Sequence, residues 1–261
     1  MTDTTYETIL YEKDGPVATI TMNRPERMNS MNNRMVIETG QALVAAAEDP
    51  DLRVLVLTGT GRAFCPGADL QGVAAGSVNE ARLRPEDFRV PVQLRNLPAV
   101  TVAAVNGACA GAGLGWALAC DLRVAARSAK FNTAFLDVGV AGDMGGPWTL
   151  GRLVGPARAR DLYFLPEKFG ADEALRIGMV NRVADDESFR DEVALVVDRL
   201  RSAAPIALRT MKANFLDAER MDLAAFVGVE TERHMRMFTT EDTREAFAAK
   251  VEKRAPRFVG R

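Results

Sequence analysis

Twice in this chain an apolar strand leads through a turn of small residues into a helix. The first unit runs from the strand Arg53–Thr58 (RVLVLT) into the turn 61–68 (GRAFCPGA). The second runs from Val100–Val105 into the turn 106–115 (NGACAGAGLG). Continuous apolar strands are typical of parallel sheets that are buried on both faces. The sequence therefore predicts an α/β fold in which short strands alternate with helices.

Small residues at such turns allow a ligand to approach the backbone closely, and a helix N-terminus leaves N–H groups unpaired. Two of these groups that converge on one oxygen form an oxyanion hole. A dinucleotide-binding turn is excluded because Trp116 stands where its third glycine belongs, and a phosphate-binding P-loop is excluded because no Lys-Ser/Thr pair follows. A single turn would favour simple helix packing, whereas two turns in the same context favour a site.

Other segments add to the α/β pattern. Val17–Met22 alternates and predicts a strand, and Ser30 or Asn32 can cap a helix that ends near Ala47. Met35, Leu43 and Val44 are expected on the apolar face of this helix. Two further strands are expected at Leu122–Ala126 and Lys130–Phe135. A helix is expected at Pro147–Leu153.

The chain changes character after Pro205, where Ile206–Arg254 is nearly all helical with many apolar positions. So much apolar surface on terminal helices needs a partner, and a neighbouring subunit is the natural hypothesis. We therefore divide the chain into a core at residues 1–200 and a C-terminal helical oligomerisation region at residues 201–261.

Composition excludes several classes of function. With 33 basic and 35 acidic residues the formal charge is −2, which argues against a strongly basic nucleic-acid binder. Glycines interrupt the longest apolar stretch, so no membrane span is expected, and the polar N-terminus lacks a secretory signal, which favours a cytoplasmic protein. Three cysteines without a CxxC pair suggest neither a disulfide framework nor a zinc site. The single histidine, His234, lies in a charged helical stretch, so no metal is expected and chemistry must come from carboxylates and backbone groups.

In order along nearly its whole length, the chain resembles the crotonase (enoyl-CoA hydratase/isomerase) superfamily. The segments that carry the resemblance are 20–25 (ITMNRP), 28–29 (MN), 56–59 (VLTG), 64–70 (FCPGADL), 104–107 (AVNG), 119–121 (ACD), 129–131 (AKF), 145–146 (GG), 171–174 (ADEA), 178–180 (GMV) and 248–254 (AAKVEKR).

The resemblance implies a spiral of strand-strand-helix turns, a C-terminal trimerisation region, and a homotrimer or dimer of trimers. It also implies a coenzyme A thioester as substrate and no separate cofactor. By position, the two oxyanion donors are the backbone N–H groups of Ala68 and Ala112. The residues expected to contact coenzyme A are Arg24, Arg27, Met28, Ser30, Ala68, Asp69 and Leu70. Ordinary surface charge remains an equal alternative for Arg24 and Arg27.

The two glutamates of family hydratases are missing, because their positions hold Gly115 and Phe135. Adding water to a double bond needs a base for the water and an acid for the carbon, and neither residue can serve. Standard hydration is therefore not expected. Trp116, Phe135 and Trp148 are expected in the core or as walls of the acyl pocket. The segment 161–169 (DLYFLPEKF) departs from the usual threonine-glycine-arginine turn of the family.

One carboxylate, Asp143, remains well placed just before a predicted helix. Family isomerases have an aspartate at this position, and the closest resemblance is to ring-epoxide phenylacetyl-CoA isomerases. They share the segments 110–113 (AGAG), 125–131 (AARSAKF) and 143–146 (DMGG). A single aspartate in an apolar pocket could move a proton along the acyl chain, with burial raising its pKa. The alternative is that Asp143 caps the helix.

Two other carboxylates are weaker candidates. Asp121 opens a strand and is expected to be structural, whereas Asp137 could be a proton relay or a solvated loop residue. The resemblance favours an enoyl-CoA isomerase that uses Asp143. A weak hydratase, a non-catalytic acyl-CoA-binding protein and a pure assembly module remain as alternatives.

Overall fold

The computed structural model describes residues 5–74 and 82–261. In these parts of the chain the strands are β1 Ile9–Asp14, β2 Val17–Met22, β3 Val54–Gly59, β4 Ala63–Cys65, β5 Val100–Val105, β6 Ala108–Ala110, β7 Leu122–Ala126, β8 Lys130–Asn132, β9 Phe169–Gly170 and β10 Arg182–Ala184. The helices are α1 Asn33–Ala47, α2 Leu70–Ala74, α3 Val90–Asn96, α4 Gly111–Ala119, α5 Gly146–Val154, α6 Pro156–Phe164, α7 Ala171–Arg176, α8 Phe189–Arg201, α9 Pro205–Ala218, α10 Leu223–Met237 and α11 Glu241–Glu252.

Two sheets organise the fold. The larger has the order β1-β2-β3-β5-β7-β10 and is parallel except for the β1–β2 pair. The smaller has the order β4-β6-β8-β9, with only β8–β9 antiparallel. The pairs β3/β4, β5/β6 and β7/β8 each give one strand to either sheet before the chain enters a helix. The fold is therefore the predicted α/β spiral of strand-strand-helix turns.

The central strands of the larger sheet match their sequence pattern. All six residues of β5 are buried, as are five of the six in β3. These strands are covered on both faces, which explains why they are continuously apolar rather than alternating. The predictions for β2, β3, β5 and β7 are confirmed, with β3 beginning and ending one residue later than expected.

Two local predictions were wrong, and one short strand was missed. The strand expected at Lys130–Phe135 ends at Asn132, because Ala134 turns at φ 59° and Phe135 is the N-cap of the 3-10 helix Leu136–Val138. The short strand β6 was not anticipated in the glycine-rich turn. Val44 is 50% exposed although it was placed on the apolar face of α1, whereas Leu43 and Met35 are buried as expected.

Helix α1 begins where the sequence allowed. Asn32 is its N-cap, and the side-chain oxygen of Asn32 accepts a hydrogen bond of 3.0 Å from the Met35 N–H. This bond satisfies one of the N–H groups that a helix start leaves unpaired. Of the two candidate caps, Asn32 rather than Ser30 therefore begins α1, directly after the segment that borders the candidate site.

The C-terminal helices α9 to α11 follow the predicted helical region, and residue 201 is the last residue of α8. Their exposed apolar side chains include Met211, Phe215, Leu223, Met235, Phe247 and Val251. Among the described residues, no helix combines the length and the apolar character needed to cross a membrane.

Candidate functional site

The two small-residue turns lie against each other. Gly67 has φ +106°, and a Cβ built on it would lie 3.3 Å from the Ala110 carbonyl oxygen and 3.7 Å from the Ala112 nitrogen. A Cβ built on Gly111, which has φ +51°, would lie 3.7 Å from the Gly67 Cα. Left-handed conformations and close backbone contact both require glycine here. The prediction that the turns meet is therefore supported by their geometry.

Ala68 is held by a single backbone bridge to Met31. The Met31 N–H donates to the Gly67 carbonyl at 2.7 Å, and the Asp69 N–H donates to the Met31 carbonyl at 2.8 Å. Successive N–H groups of an extended chain point in opposite directions, so the Ala68 N–H points away from Met31. Ala68 itself is exposed, which leaves its backbone open to a ligand.

Ala112 is the second residue of α4, so its N–H belongs to the first turn, which has no acceptor within the helix. The helix can start here because Gly113 lies directly on β4, where a Cβ would come within 2.3 Å of the Cys65 carbonyl oxygen. The turns therefore bring the backbones of Ala68 and Ala112 to one place, each with an N–H turned away from the sheet or helix that holds it.

Gly115 touches the segment that carries Asp143. A Cβ on Gly115 would lie 2.7 Å from the Met144 Cβ and 3.1 Å from the Met144 carbonyl oxygen. Met144 is buried and adopts a left-handed conformation at φ 48°, which is uncommon for a residue with a side chain. The space in which a glutamate at position 115 would begin is thus filled by the neighbour of Asp143.

Asp143 is half-buried, and its Oδ1 has no hydrogen-bond partner among the described residues. Burial raises the pKa of the Asp143 carboxyl, and a bond from its own backbone N–H only partly offsets this effect. The alternative role as a helix cap is not observed. The N-cap of α5 is Gly145, and no described side chain caps that helix.

An apolar cavity of about 360 Å³ lies beside this segment. Its walls include Phe135, Gly142 and Tyr163, and the rings of Phe135 and Tyr163 stack with centroids 6.2 Å apart. Burial, followed by the negative charge of Asp143, raises the pKa of the Tyr163 hydroxyl. The Phe135 side chain therefore forms part of an apolar wall, as the sequence predicted.

Tyr163 is a residue that the sequence reasoning missed. A Cβ on Gly146 would lie 2.0 Å from the Tyr163 hydroxyl oxygen, and one on Gly142 would lie 3.3 Å from its ring. Both glycines flank Asp143, so the tyrosine packs across the segment that holds the carboxylate. The departure of 161–169 from the family's turn was the signal that could have pointed to it.

The two tryptophans lie apart from this cavity. Trp116 is fully buried in the core. Trp148 is 43% exposed and has the guanidinium groups of Arg95 and Arg152 at 4.8 and 3.6 Å from its ring. It lines a second cavity of about 440 Å³ together with residues of α9, such as Met211. Trp116 is thus a core residue, and Trp148 does not line the cavity beside Asp143.

The residues expected to contact coenzyme A surround the turn at Ala68. Arg24 is not an ordinary surface charge, because its guanidinium forms an ion pair with Asp69 at 2.9 Å and donates to the Ser30 carbonyl at 2.7 Å. Met28 and Leu70 are 39% and 54% exposed. The exposed side chain of Arg27 donates a hydrogen bond to Gln71.

The remaining ionisable candidates have other surroundings. The Asp121 carboxylate accepts bonds from Thr101 and pairs with Lys212 at 2.7 Å, so it is structural as expected. Asp137 is exposed on the 3-10 helix Leu136–Val138, and His234 is exposed on α10. Burial raises the pKa of the Cys65 and Cys120 thiols to about 12, which keeps both neutral near pH 7.

Within the described ranges, no group of three or more His, Cys, Asp or Glu side chains is arranged to hold a metal ion. The chemistry that these groups offer is proton transfer at Asp143 and hydrogen-bond donation from the backbone at Ala68 and Ala112.

Comparison with known proteins shows the family to which this chain is similar. The family model described as enoyl-CoA hydratase/isomerase matches residues 12–261. Crotonyl-CoA hydratase of Syntrophomonas wolfei is 34% identical, over 98% of this chain and 99% of that protein. The 1,2-epoxyphenylacetyl-CoA isomerase of Escherichia coli K12 is 36% identical, over 98% of this chain and 99% of that protein. The crystal structure of an enoyl-CoA hydratase from Bacillus anthracis superposes with a TM-score of 0.89 at 29% identity, covering 98% of this chain and all of the other.

Proposed function

Since this chain belongs to the enoyl-CoA hydratase/isomerase family, we propose that it is an enoyl-CoA isomerase that shifts a double bond, or rearranges an unsaturated ring, in an acyl-CoA thioester. The observation that carries the proposal is the contact between Gly115 and Met144. Because of this contact, the segment that carries Asp143 occupies the space in which the side chain of a hydratase glutamate at position 115 would begin. Asp143 is then the one carboxylate proposed for catalysis, whereas a family hydratase uses two glutamates.

The mechanism follows from these groups. The N–H groups of Ala68 and Ala112 bind the thioester oxygen, and the Asp143 carboxylate removes a proton from the acyl chain. The electron pair moves into the thioester, forming an enolate whose negative oxygen the two donors stabilise. Asp143 then returns the proton to another carbon of the same conjugated system, which moves the double bond and regenerates the carboxylate. Each such donor typically contributes about 2.7–4 kcal/mol to transition-state stabilisation.

Burial supports this role for Asp143. A raised pKa makes the carboxylate a stronger base and brings the group closer to neutral pH, where one residue can both accept and return a proton. The apolar wall at Phe135 keeps water from the intermediate. Coenzyme A would lie along the exposed residues Arg27, Met28 and Leu70, near the exposed Ala68. Ser30, also expected there, is buried, and its carbonyl accepts from Arg24.

The test is turnover of 3-enoyl-, 2-enoyl- and aryl-CoA esters by the wild-type protein and by Asp143→Asn. We expect a spectral change without a change in substrate mass, and a loss of about 10²-fold or more in kcat for the variant, since proton transfer contributes about 10²–10⁴-fold. Wild-type turnover should rise with pH as Asp143 loses its proton. Asp51→Asn, on an exposed loop, is the matched control. Unchanged turnover by Asp143→Asn would contradict the proposal.

Hydration is the second candidate, and the 34% identical crotonyl-CoA hydratase favours it. A water molecule beside Asp143 would be the nucleophile. The same panel separates the two reactions, because hydration adds the mass of one water to the product. Binding of an acyl-CoA without any turnover would instead indicate a binding protein.

A homotrimer or dimer of trimers belongs to the same proposal. It is supported by the exposed apolar side chains of α9 to α11, which need a covering surface.

A further inference from the structure

The Arg24–Asp69 ion pair lies beside the turn whose backbone is expected to bind the thioester oxygen. The two side chains are 16% and 9% exposed, and the nearest oxygen and nitrogen are 2.9 Å apart. Both ions are largely withdrawn from water, where pairing matters more than it does at a surface. A largely buried pair next to a site calls for an explanation beyond surface charge.

The pair connects both sides of the bridge that holds Ala68. One nitrogen of the Arg24 guanidinium binds the Asp69 carboxylate, and the other donates to the Ser30 carbonyl at 2.7 Å. Ser30 and Asp69 directly adjoin the bridged residues Met31 and Ala68. One guanidinium therefore ties together the two segments whose backbones meet at Ala68.

Arg24 is itself fixed on the far side. Its backbone N–H donates to the Asn29 side-chain oxygen at 2.9 Å, and the Asn29 amide donates to the carbonyls of Thr60 and Ala63. Asn29 is fully buried. The Arg24 backbone is thus anchored through Asn29 to the chain around β4.

Asp69 keeps its charge in this setting. Burial alone would raise the pKa of the Asp69 carboxyl, but the Gly72 N–H and the Arg24 guanidinium together lower it below the usual value. The Gly72 N–H reaches the other carboxylate oxygen at 3.0 Å. Asp69 therefore joins the start of α2 to Arg24 and stays ionised over the neutral range.

Ala68 needs such support. A backbone donor is effective only when held within about 0.5 Å and 10–20° of its productive position. Among the described residues, the Ala68 turn is paired beyond β4 by the single bridge to Met31, and the Leu70 N–H donates to the Ala68 carbonyl within the turn at 3.0 Å. Without the ion pair, the two bonds with Met31 are the described hydrogen bonds that hold residues 67–69 to the segment before α1.

We infer that Arg24 and Asp69 are positioning residues that aim the Ala68 N–H at the thioester oxygen, an inference that rests on the proposed function. Arg24 then contributes to catalysis and does not bind the phosphates of coenzyme A. The two roles differ in a measurable way, because coenzyme A without an acyl group has no thioester carbonyl.

The experiment compares Asp69→Asn, Arg24→Met and the double variant with the wild type. Asp69→Asn retains an oxygen for the Gly72 N–H but loses the negative charge. We expect kcat to fall about 10–100-fold, less than the 10²–10³-fold that removal of a donor causes, with KM and the dissociation constant of free coenzyme A nearly unchanged. The double variant should fall no further than either single one, since the residues act as one unit.

A readout without turnover separates this inference from the proposed function. In the wild type, the carbonyl infrared band of bound ¹³C-labelled butanoyl-CoA should move to lower frequency because the donors polarise it. Asp69→Asn should reduce that shift. A full shift in the variants, or a parallel loss of affinity for free coenzyme A, would overturn the positioning role. The wild type could also shift the carbonyl band to lower frequency and yet turn over no enoyl-CoA. That result would reject the isomerase proposal and leave the positioning role intact.

Glu192→Gln is the matched control, because it removes the charge of a carboxylate on α8 that pairs with Arg182 of β10 at 2.6 Å. It should leave kcat and the carbonyl band unchanged. Thermal unfolding of each variant shows whether it is folded, and if Asp69→Asn does not fold, Arg24→Met carries the same comparison.

Discussion

The Asp143 carboxylate lies where its negative charge is disfavoured, so its ionisation should lower the stability of the folded protein. Its Oδ1 is buried without a partner among the described residues, and burial raises the pKa of its carboxyl. In the unfolded chain the pKa of an aspartate is about 3.9. Below that value the group is protonated in both states and carries no penalty. As pH rises through the raised folded pKa, the folded state becomes less stable.

Asp143→Asn should therefore be more stable than the wild type near pH 7, and the difference should shrink to nothing below about pH 4, where the wild-type carboxyl is neutral. The measurement is denaturant unfolding across this pH range at a fixed protomer concentration, because association also shifts apparent stability. Asp51→Asn, at an exposed position, is the control for replacing a carboxyl by an amide. A lower stability of Asp143→Asn at neutral pH would show that the folded site favours the charged carboxylate.

At the scale of secondary-structure elements, α9 is fixed to the larger sheet by a buried lysine. The Lys212 side chain is 5% exposed, and its ammonium contacts the Asp121 carboxylate at 2.7 Å and the Ala99 carbonyl at 2.8 Å. Burial lowers the pKa of Lys212, while Asp121 opposes that effect. The ammonium thus joins the start of β7 and the residue before β5 to a C-terminal helix.

Replacing Lys212 by Met retains the aliphatic stem but removes the donor to the Ala99 carbonyl and the positive charge beside Asp121, which keeps its bonds from Thr101. Hydrogen bonds to charged groups contribute about 1.5–3 kcal/mol, so we expect the free energy of unfolding to fall by that amount. Denaturant unfolding measures it. Lys168→Met, at an exposed position, should change stability by less than about 0.5 kcal/mol. Equal stability of Lys212→Met and the wild type would mean that apolar packing alone docks α9.

Elements with strong patterns could be predicted from the sequence, and elements made by long-range contacts could not. Strand β5 is apolar throughout and was located to the residue. Strand β6 consists of Ala-Cys-Ala, which has no strand preference of its own and forms because β4 and β8 pair with it. The same limit applied to the site. The turns at Ala68 and Ala112 were visible as local patterns, whereas the bridge from Met31 and the packing of Tyr163 on Gly142 and Gly146 depend on distant segments.

In the whole molecule, helix α10 is left uncovered by the rest of the described chain. None of its 15 residues is buried within the described chain, although the helix contains Leu223, Phe226 and Met235. Isolated helices of about 12–15 residues are marginal in water, so most helical stability in proteins comes from packing. Neighbouring α11 exposes Phe247 and Val251 in the same way. These helices gain their packing if a second copy of the chain covers them, which is why we expect a trimer or a dimer of trimers.

Introducing a negative charge on the apolar surface of α10 and α11 should then prevent assembly. Leu223 and Val251 are 77% and 83% exposed, so Leu223→Asp and Val251→Asp cost little in a lone protomer. Each full burial of such a side chain contributes about 1.5–3 kcal/mol, and a buried aspartate would oppose association further. Light scattering should give a multiple of the protomer mass for the wild type and a smaller mass for both variants. Leu195→Asp, at a 60% exposed position on α8, should assemble normally. A wild type at protomer mass at every concentration would show that these helices are stable uncovered, and the apolar surface of α10 would then need a different partner.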